Sequence, residues 1–483
     1  MVMVFLLILK DILTIFLMSS PQEFHPPTKL NFSTKLAYGI GELSGSLPSN
    51  ILVFFFLFFL TDIAGLKPGV AGIIVMTGKI WDAINDPLIG WLSDRTRSRF
   101  GRRYPWMILG SIPLGFSCVL LWTISPSDDQ TFQIIYYTII ALIFYTAFTA
   151  VLLPYSALSA ELTPDYNERT NLISFRSAFS IGGSILSLIL AELLFSWINN
   201  EEKQYLFLGL IAGLIAIFST FISVLGTYKI YKNLQPNPAK YRPSSSLSIK
   251  EEISLIFTNF PFICVMVIYL CSWLSVQTIA AILPYFVINC MGLTEGHFTR
   301  MALMVQGTAL MMMVFWNRLS HRLGKKMIYL MGIPFTIIAE FGLFLLQPEQ
   351  VTLMYIIAII AGIGIATAYI VPWSMLPDVV DLDQLKTGER REGIFFALVV
   401  QLQKSGMALA LFLVGRILDS AGYIPKSTGQ QPDTALWAIR MIIGPLPITL
   451  LIIGWIFAYL YPISQAVHQD ILSQIYQKNK PHS

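Results

Sequence analysis

The segment GKIWDAINDPLIGW, residues 78–91, places Lys79, Asp82 and Asp86 within about two helical turns. Asp82 and Asp86 stand at i and i+4 and so share one face, with Lys79 one turn before Asp82 and Asn85 beside the pair. Two carboxylates this close cannot easily both stay ionised in a dry site, so one holds a proton or both share a cation. Either state makes a coupling-ion site. Pro87 removes a backbone hydrogen bond one turn back, which frees a carbonyl as a further ligand. The plainer alternative is that Lys79 only neutralises Asp82 within the helix.

Charges at mid-membrane depth cost about 2.5–3.5 kcal/mol on insertion scales, so each one retained is a functional candidate. Further polar residues interrupt apolar stretches at Glu42, Thr149, Arg176 and Lys404, the last following Gln401 and Gln403. Several spans thus contribute to one polar centre. Cys118, Cys264, Cys271 and Cys290 lie in or beside apolar segments without ligand spacing and read as inert thiols. The five histidines are scattered toward segment ends and tails. No nucleophile elbow, P-loop or HExxH motif occurs, so no enzyme and no cofactor is expected. The one metal considered is Na+ at Asp82 and Asp86.

The elements that must hold these residues follow from composition. Of 483 residues, 55% are hydrophobic and 12% charged, against about a quarter charged in soluble domains. The solvent for most of the chain is lipid, where only structures that satisfy their own backbone can span. Apolar stretches of about 20 residues predict twelve helices, starting near residues 36, 69, 104, 130, 171, 205, 260, 297, 326, 350, 393 and 437. The longest polar interruption, Tyr228 to Glu252, divides them six and six. The expected order is an extension (1–33), a six-helix bundle (34–228), a linker (229–252), a second bundle (253–465) and a tail (466–483). Met1 to Leu17 is apolar but too short to span and is broken by Lys10 and Asp11, so it reads as dispensable, with Met18 an alternative start.

Lys and Arg gather in alternate loops, at Arg95 to Arg103, Lys229 to Arg242, Arg318 to Lys326 and Lys386 to Arg391. By the positive-inside rule both termini and the linker face the cytoplasm. The net charge of +4, spread over these loops, gives no nucleic-acid surface. GWLSDRTRSRFGRR after the second span has a weak counterpart, WNRLSHRLGKK, after the eighth. Two similar six-span halves are the transporter construction.

Four blocks in order give the chain a family likeness over roughly residues 34–465. They are TKLAYGIGE, KIWDAINDPLIGWLSDRTRSRFGRRYPW, PYSALSAELTPDYNERTNL and PDVVDLDQLKTGERREG. The sequence resembles the glycoside-pentoside-hexuronide:cation symporters of the major facilitator superfamily, the melibiose-permease-like proteins. The resemblance implies cation binding at Asp82, Asp86 and Thr149, and a central cavity lined by Arg176 and Lys404. It places Tyr369 where the family has a tryptophan near its sugar. It also implies that Asp94, Arg95 and Arg102 form a cytoplasmic gate, beside the plain reading of this loop as a positive-inside anchor. Departures qualify the sugar: Ser46 replaces an aspartate that binds galactoside hydroxyls, Leu152 a further carboxylate and Ser156 a tryptophan. Glu42 offers partial compensation for the first.

With one carboxylate fewer, proton coupling is preferred over Na+, which needs several oxygen ligands. The expected function is symport of a small polar solute, a glycoside, pentoside or hexuronide, by a monomer in a cell membrane. Lysophospholipid symport on the same fold and a non-transporting membrane sensor are the alternatives.

Overall fold

The computed structural model describes residues 29–163, 166–234, 259–388, 392–426 and 430–478. Residues 1–28 and most of the expected linker lie outside them. Among the described residues there are twelve long helices: α1 Phe32–Ile63, α2 Pro68–Arg95, α3 Tyr104–Leu121, α4 Gln130–Leu162, α5 Tyr166–Trp197, α6 Glu201–Leu234, α7 Phe260–Cys290, α8 Glu295–Leu323, α9 Lys325–Leu345, α10 Val351–Thr387, α11 Glu392–Ser420 and α12 Asp433–Leu460. A thirteenth, α13 (Gln465–Lys478), follows.

Eleven of the twelve are long and apolar enough to cross a membrane. The other is α2, whose 28 residues match the rest in length but carry Lys79, Asp82 and Asp86. Its deviation from the pattern marks the site. Outward-facing side chains are large and apolar, with Leu109, Phe116 and Met311 all more than half exposed, the inverse of a soluble surface.

Helix ends follow from local chemistry. Asp129 caps α4 by accepting a hydrogen bond from the Phe132 N–H at 2.8 Å, and Pro68 opens α2 where a missing N–H costs nothing. Gly324, at φ 82°, turns the chain between α8 and α9 in a conformation that side chains with a Cβ resist. Two spans are interrupted. Glu42 sits at the junction of Phe32–Gly41 and Leu43–Phe58 in α1, and Gly444 breaks α12.

The helices form two bundles of six, α1–α6 and α7–α12. Within the first, α3 packs on α4 and α6, α2 on α4, and α1 on α6; within the second, α9 packs on α10 and α12, α8 on α10, and α7 on α12. Each contact has its partner six helices later, the arrangement of two repeats related about the membrane normal. The halves meet along α1–α7, α2–α11 and α5–α8. Two expectations shift here. Helix α6 continues to Leu234, past the expected start of the linker, and the expected tail contains α13, which packs on α10 and buries Ile471.

Hydrogen bonds and ion pairs between described residues of the two halves lie at the level of Lys404 or toward the end away from the chain termini, here the far end. There Thr61 and Tyr285 share a hydrogen bond of 2.7 Å, Tyr423 donates to Asp62 at 2.8 Å, and Arg300 meets Glu192 at 2.6 Å. Gly72 and Gly415 let α2 and α11 touch backbone to backbone: a Cβ on Gly415 would lie 2.5 Å from the Pro68 carbonyl oxygen.

Candidate functional site

The middle of α2 faces α4 and α11, and this placement brings four of the expected residues together. Lys404 Nζ lies 2.9 Å from Asp82 Oδ2 and 2.5 Å from Asp86 Oδ2. Thr149 on α4 stands 3.2 Å from Asp82 Oδ1 and 3.0 Å from Asp86 Oδ1, and its one hydroxyl hydrogen serves one of them at a time. Asn85 is buried beside the pair, with its Nδ2 lacking a hydrogen-bond partner. Asp82 is 4% exposed and Asp86 25% exposed, so Asp86 is the more accessible of the two.

Lys79, one turn before Asp82, does not take the ion-pair position. Its ammonium lies 5.0 Å from the centre of the Tyr145 ring. The neutralising cation comes instead from the other half of the molecule. The aspartates and Lys404 therefore form a bridge between halves.

A second polar pair occupies the first bundle, where the break in α1 presents Glu42 to α5. Arg176 donates from Nε to Glu42 Oε2 at 2.6 Å and lies over the Tyr155 ring, 5.4 Å from its centre. Between the bundles lies a cavity of about 240 Å3. Asn50, Ser180 and Ser184 line it from the first half; Trp273, Gln277, Gln306 and Tyr369 line it from the second. Ser184 holds Asn50 Oδ1 at 2.9 Å, while Trp273 Nε1 and Gln277 Oε1 have no hydrogen-bond partner. Trp273 and Tyr369 lie 6.2 Å apart at 60°, giving one wall an aromatic surface. Apolar side chains, among them Phe54, Val276 and Met313, complete the lining.

The loop after α2 is ordered by an ion network within the first half. Asp94 is 2.6 Å from Arg103 and 4.0 Å from Arg102, and both arginines reach Glu161 at the end of α4, at 3.2 and 2.6 Å. Arg95 stands apart, its guanidinium 4.1 Å from the Trp91 ring centre. The second half repeats the device: Lys325, after α8, binds Asp378 of α10 at 2.6 Å, and His468 of α13 is 3.1 Å from Asp381.

Sequence reasoning passed over Arg103 and Glu161 within motifs it had singled out, and also Asn50, Ser184, Gln277 and Gln306. The neutral four give no charge signal against an apolar background. Glu340, a carboxylate inside α9, gives that signal by the rule that found Asp82, and was passed over too.

The sequence profile of the MFS/sugar transport protein family matches residues 37–465. An uncharacterized symporter of Synechocystis is 43% identical, over 92% of this chain and 97% of the relative. The sodium-dependent lysophosphatidylcholine symporter 1 of Gallus gallus is 27% identical, over 93% of this chain and 90% of the relative. Among solved structures, a bacterial homologue of the human lysosomal transporter Spinster superposes with a TM-score of 0.65 at 15% identity, covering 92% of this chain and 97% of that one. A D-xylose-proton symporter superposes with a TM-score of 0.62 at 16% identity, covering 88% and 97%. These two share the fold. The chain belongs to the MFS/sugar transport protein family and is a multi-pass symporter of the major facilitator fold, not an enzyme.

Proposed function

We propose that the protein couples inward movement of a cation, a proton in preference to Na+, to transport of a small hydroxylated solute of the glycoside, pentoside or hexuronide class. The observation that carries this reading is the position of Lys404. Its ammonium occupies the space between Asp82 and Asp86 that a coupling cation would share. A proton delivered to Asp86 weakens its hold on Lys404, and with it a link between α2 and α11. Ion binding thereby changes the free energy of the rocking motion between halves, which is what coupling requires.

The bonded far end leaves the structure in the state whose cavity faces the chain termini. With basic loops at that end, the termini face the cytoplasm and the state is inward-facing. Solute binds between the neutral polar groups of Asn50, Gln277 and Gln306 and the aromatic surface of Trp273 and Tyr369.

The relatives favour a second reading, lysophospholipid symport driven by Na+, since several are named sodium-dependent lysophosphatidylcholine symporters. The departures at Ser46 and Ser156 agree with it; the cavity's size of about 240 Å3 and its amide and hydroxyl groups favour the first.

Reconstitution in liposomes decides between them. A pH-sensitive dye is followed while glycosides, pentoses, hexuronates and lysophosphatidylcholine are added, with and without Na+. Proton influx on addition of a sugar, absent in Asp82→Asn/Asp86→Asn, is the expected result. A response to lysophosphatidylcholine alone, dependent on Na+, replaces this reading with the second.

A further inference from the structure

We propose that Glu340 is a proton-binding site of the second half, separate from the aspartate pair and reached through the solute cavity. The inference builds on the symporter reading and adds to it the position of a second proton.

Glu340 lies in the second half of α9, five residues before its end at Leu345, and is 1% exposed. Ser275 of α7 donates to its Oε1 at 3.1 Å, and its Oε2 has no hydrogen-bond partner. An isolated ionised carboxylate in such surroundings is very costly, and a group so placed takes up a cation or a proton instead. Neighbouring ionisable groups are committed elsewhere among the described residues. Lys325 binds Asp378, and Lys326 binds the carbonyls of Tyr459 and Tyr461. Arg440 of α12 donates to the carbonyls of Phe344 and Leu346, and His297 of α8 bonds Tyr355 of α10. Tyr329 of α9 bonds Ser272 of α7. Of the titratable side chains around it, Tyr369 of α10 lines the same chamber as Glu340.

That chamber selects the occupant. Its volume is about 50 Å3, and Thr336, whose Oγ1 also lacks a partner, and Gln306 supply its other polar groups. A buried water needs about 10–15 Å3 and polar partners, so the chamber holds water only beside Glu340, Thr336 and Gln306. It is far smaller than the adjoining solute cavity of about 240 Å3, so a solute does not fit. The chamber shares Phe54, Val276, Ala280, Gln306 and Tyr369 with the solute cavity, so the two adjoin. A proton passes between the adjoining solute cavity and the Oε2 of Glu340, and returns the same way. No bond other than O–H is made or broken.

The test reads the carboxyl directly, without needing solute. Infrared difference spectra of the full chain in lipid nanodiscs are recorded on stepping from neutral to alkaline pH. The wild type is expected to show a protonated-carboxyl C=O band that is lost on alkalinisation. It should be missing in Glu340→Gln, shifted in Ser275→Ala, and retained in Asp82→Asn/Asp86→Asn. In liposomes, Glu340→Gln should flatten the pH dependence of solute accumulation while solute exchange at equal pH continues. The proposal is overturned by a band that Glu340→Gln and Ser275→Ala both leave unchanged, by one that persists at alkaline pH, or by an unaltered pH profile. Should no solute be moved by any variant while the band behaves as described, the symport reading fails and the proton site stands.

Discussion

Lys404 and Asp86 stand 2.5 Å apart on helices of opposite halves, so the residue proposed to take the coupling cation is also a contact between the bundles. Asp86→Asn should abolish concentrative uptake while leaving exchange of solute down its own gradient. Lys404→Ala leaves two neighbouring carboxylates without their counter-ion, and breaking a buried pair in this way costs about 3–5 kcal/mol. Thermal unfolding of that variant should fall well below wild type, and Lys404→Ala/Asp86→Asn should recover part of the loss. Equal unfolding temperatures for the single and double variants would sink the assignment.

Gly415 and Gly72 permit the closed far end. Any Cβ on Gly415 collides with the Pro68 carbonyl and lies 3.0 Å from the Gly72 Cα, both backbone atoms that cannot rotate away. Overpacking of this kind costs about 1–3 kcal/mol. It falls on the state in which α2 and α11 touch, so Gly415→Val should shift the balance about 5–150-fold toward opening of the far end. Cysteines at Thr61 and Tyr285, which cross-link readily when the ends meet, should then couple more slowly. Unchanged coupling would show that the contact is not used in the transport cycle.

Two bonds hold Glu192 to α8, and they should not matter equally. Arg300 is 54% exposed, and exposed ion pairs contribute about 0–1 kcal/mol. Thr299, fully buried, donates to the other carboxylate oxygen of the part-buried Glu192, and a hydrogen bond to a charged group contributes about 1.5–3 kcal/mol. Thr299→Val should therefore loosen the far end more than Arg300→Ala, measured by the same cross-link. The reverse order would mean that solvent screens Arg300 less than its exposure implies.

The span pattern was legible because lipid imposes it. Expected starts at 104, 130 and 260 coincide with Tyr104, Gln130 and Phe260, where a Pro or Gln follows a polar loop. Asp82, Asp86 and Lys404 were legible for the same reason, since a charge in an apolar stretch is conspicuous. What could not be read was pairing. Nothing in GKIWDAINDPLIGW says that the counter-ion of Asp82 arrives from more than three hundred positions away and not from Lys79, because i,i+3 proximity in sequence looks the same whether or not the side chain turns toward its neighbour. Arg95 and Arg103 show the same limit. Both lie in a loop of arginines, and the course of the loop alone decides that Arg103 meets Asp94 while Arg95 stacks on Trp91.

Acid should release the start of α1 from α5. Glu168, in the first turn of α5 and outside its apolar span, accepts from Lys35 Nζ and from the Leu30 N–H at 2.9 Å, bonds that hold its carboxyl below the usual range. A depressed folded value stabilises the contact above the ordinary carboxylate range and loses that contribution as pH falls through the folded value. Hydrogen exchange at the Leu30 amide, corrected for its intrinsic rate, should be slow at neutral pH and accelerate below about pH 4.3, the unperturbed glutamate value. Glu168→Gln keeps the acceptor oxygen but not its charge, so its exchange should be faster at neutral pH and lack the acid step. If the variant retains that step, a different group holds residues 30–35, and Glu168 is a bystander to it.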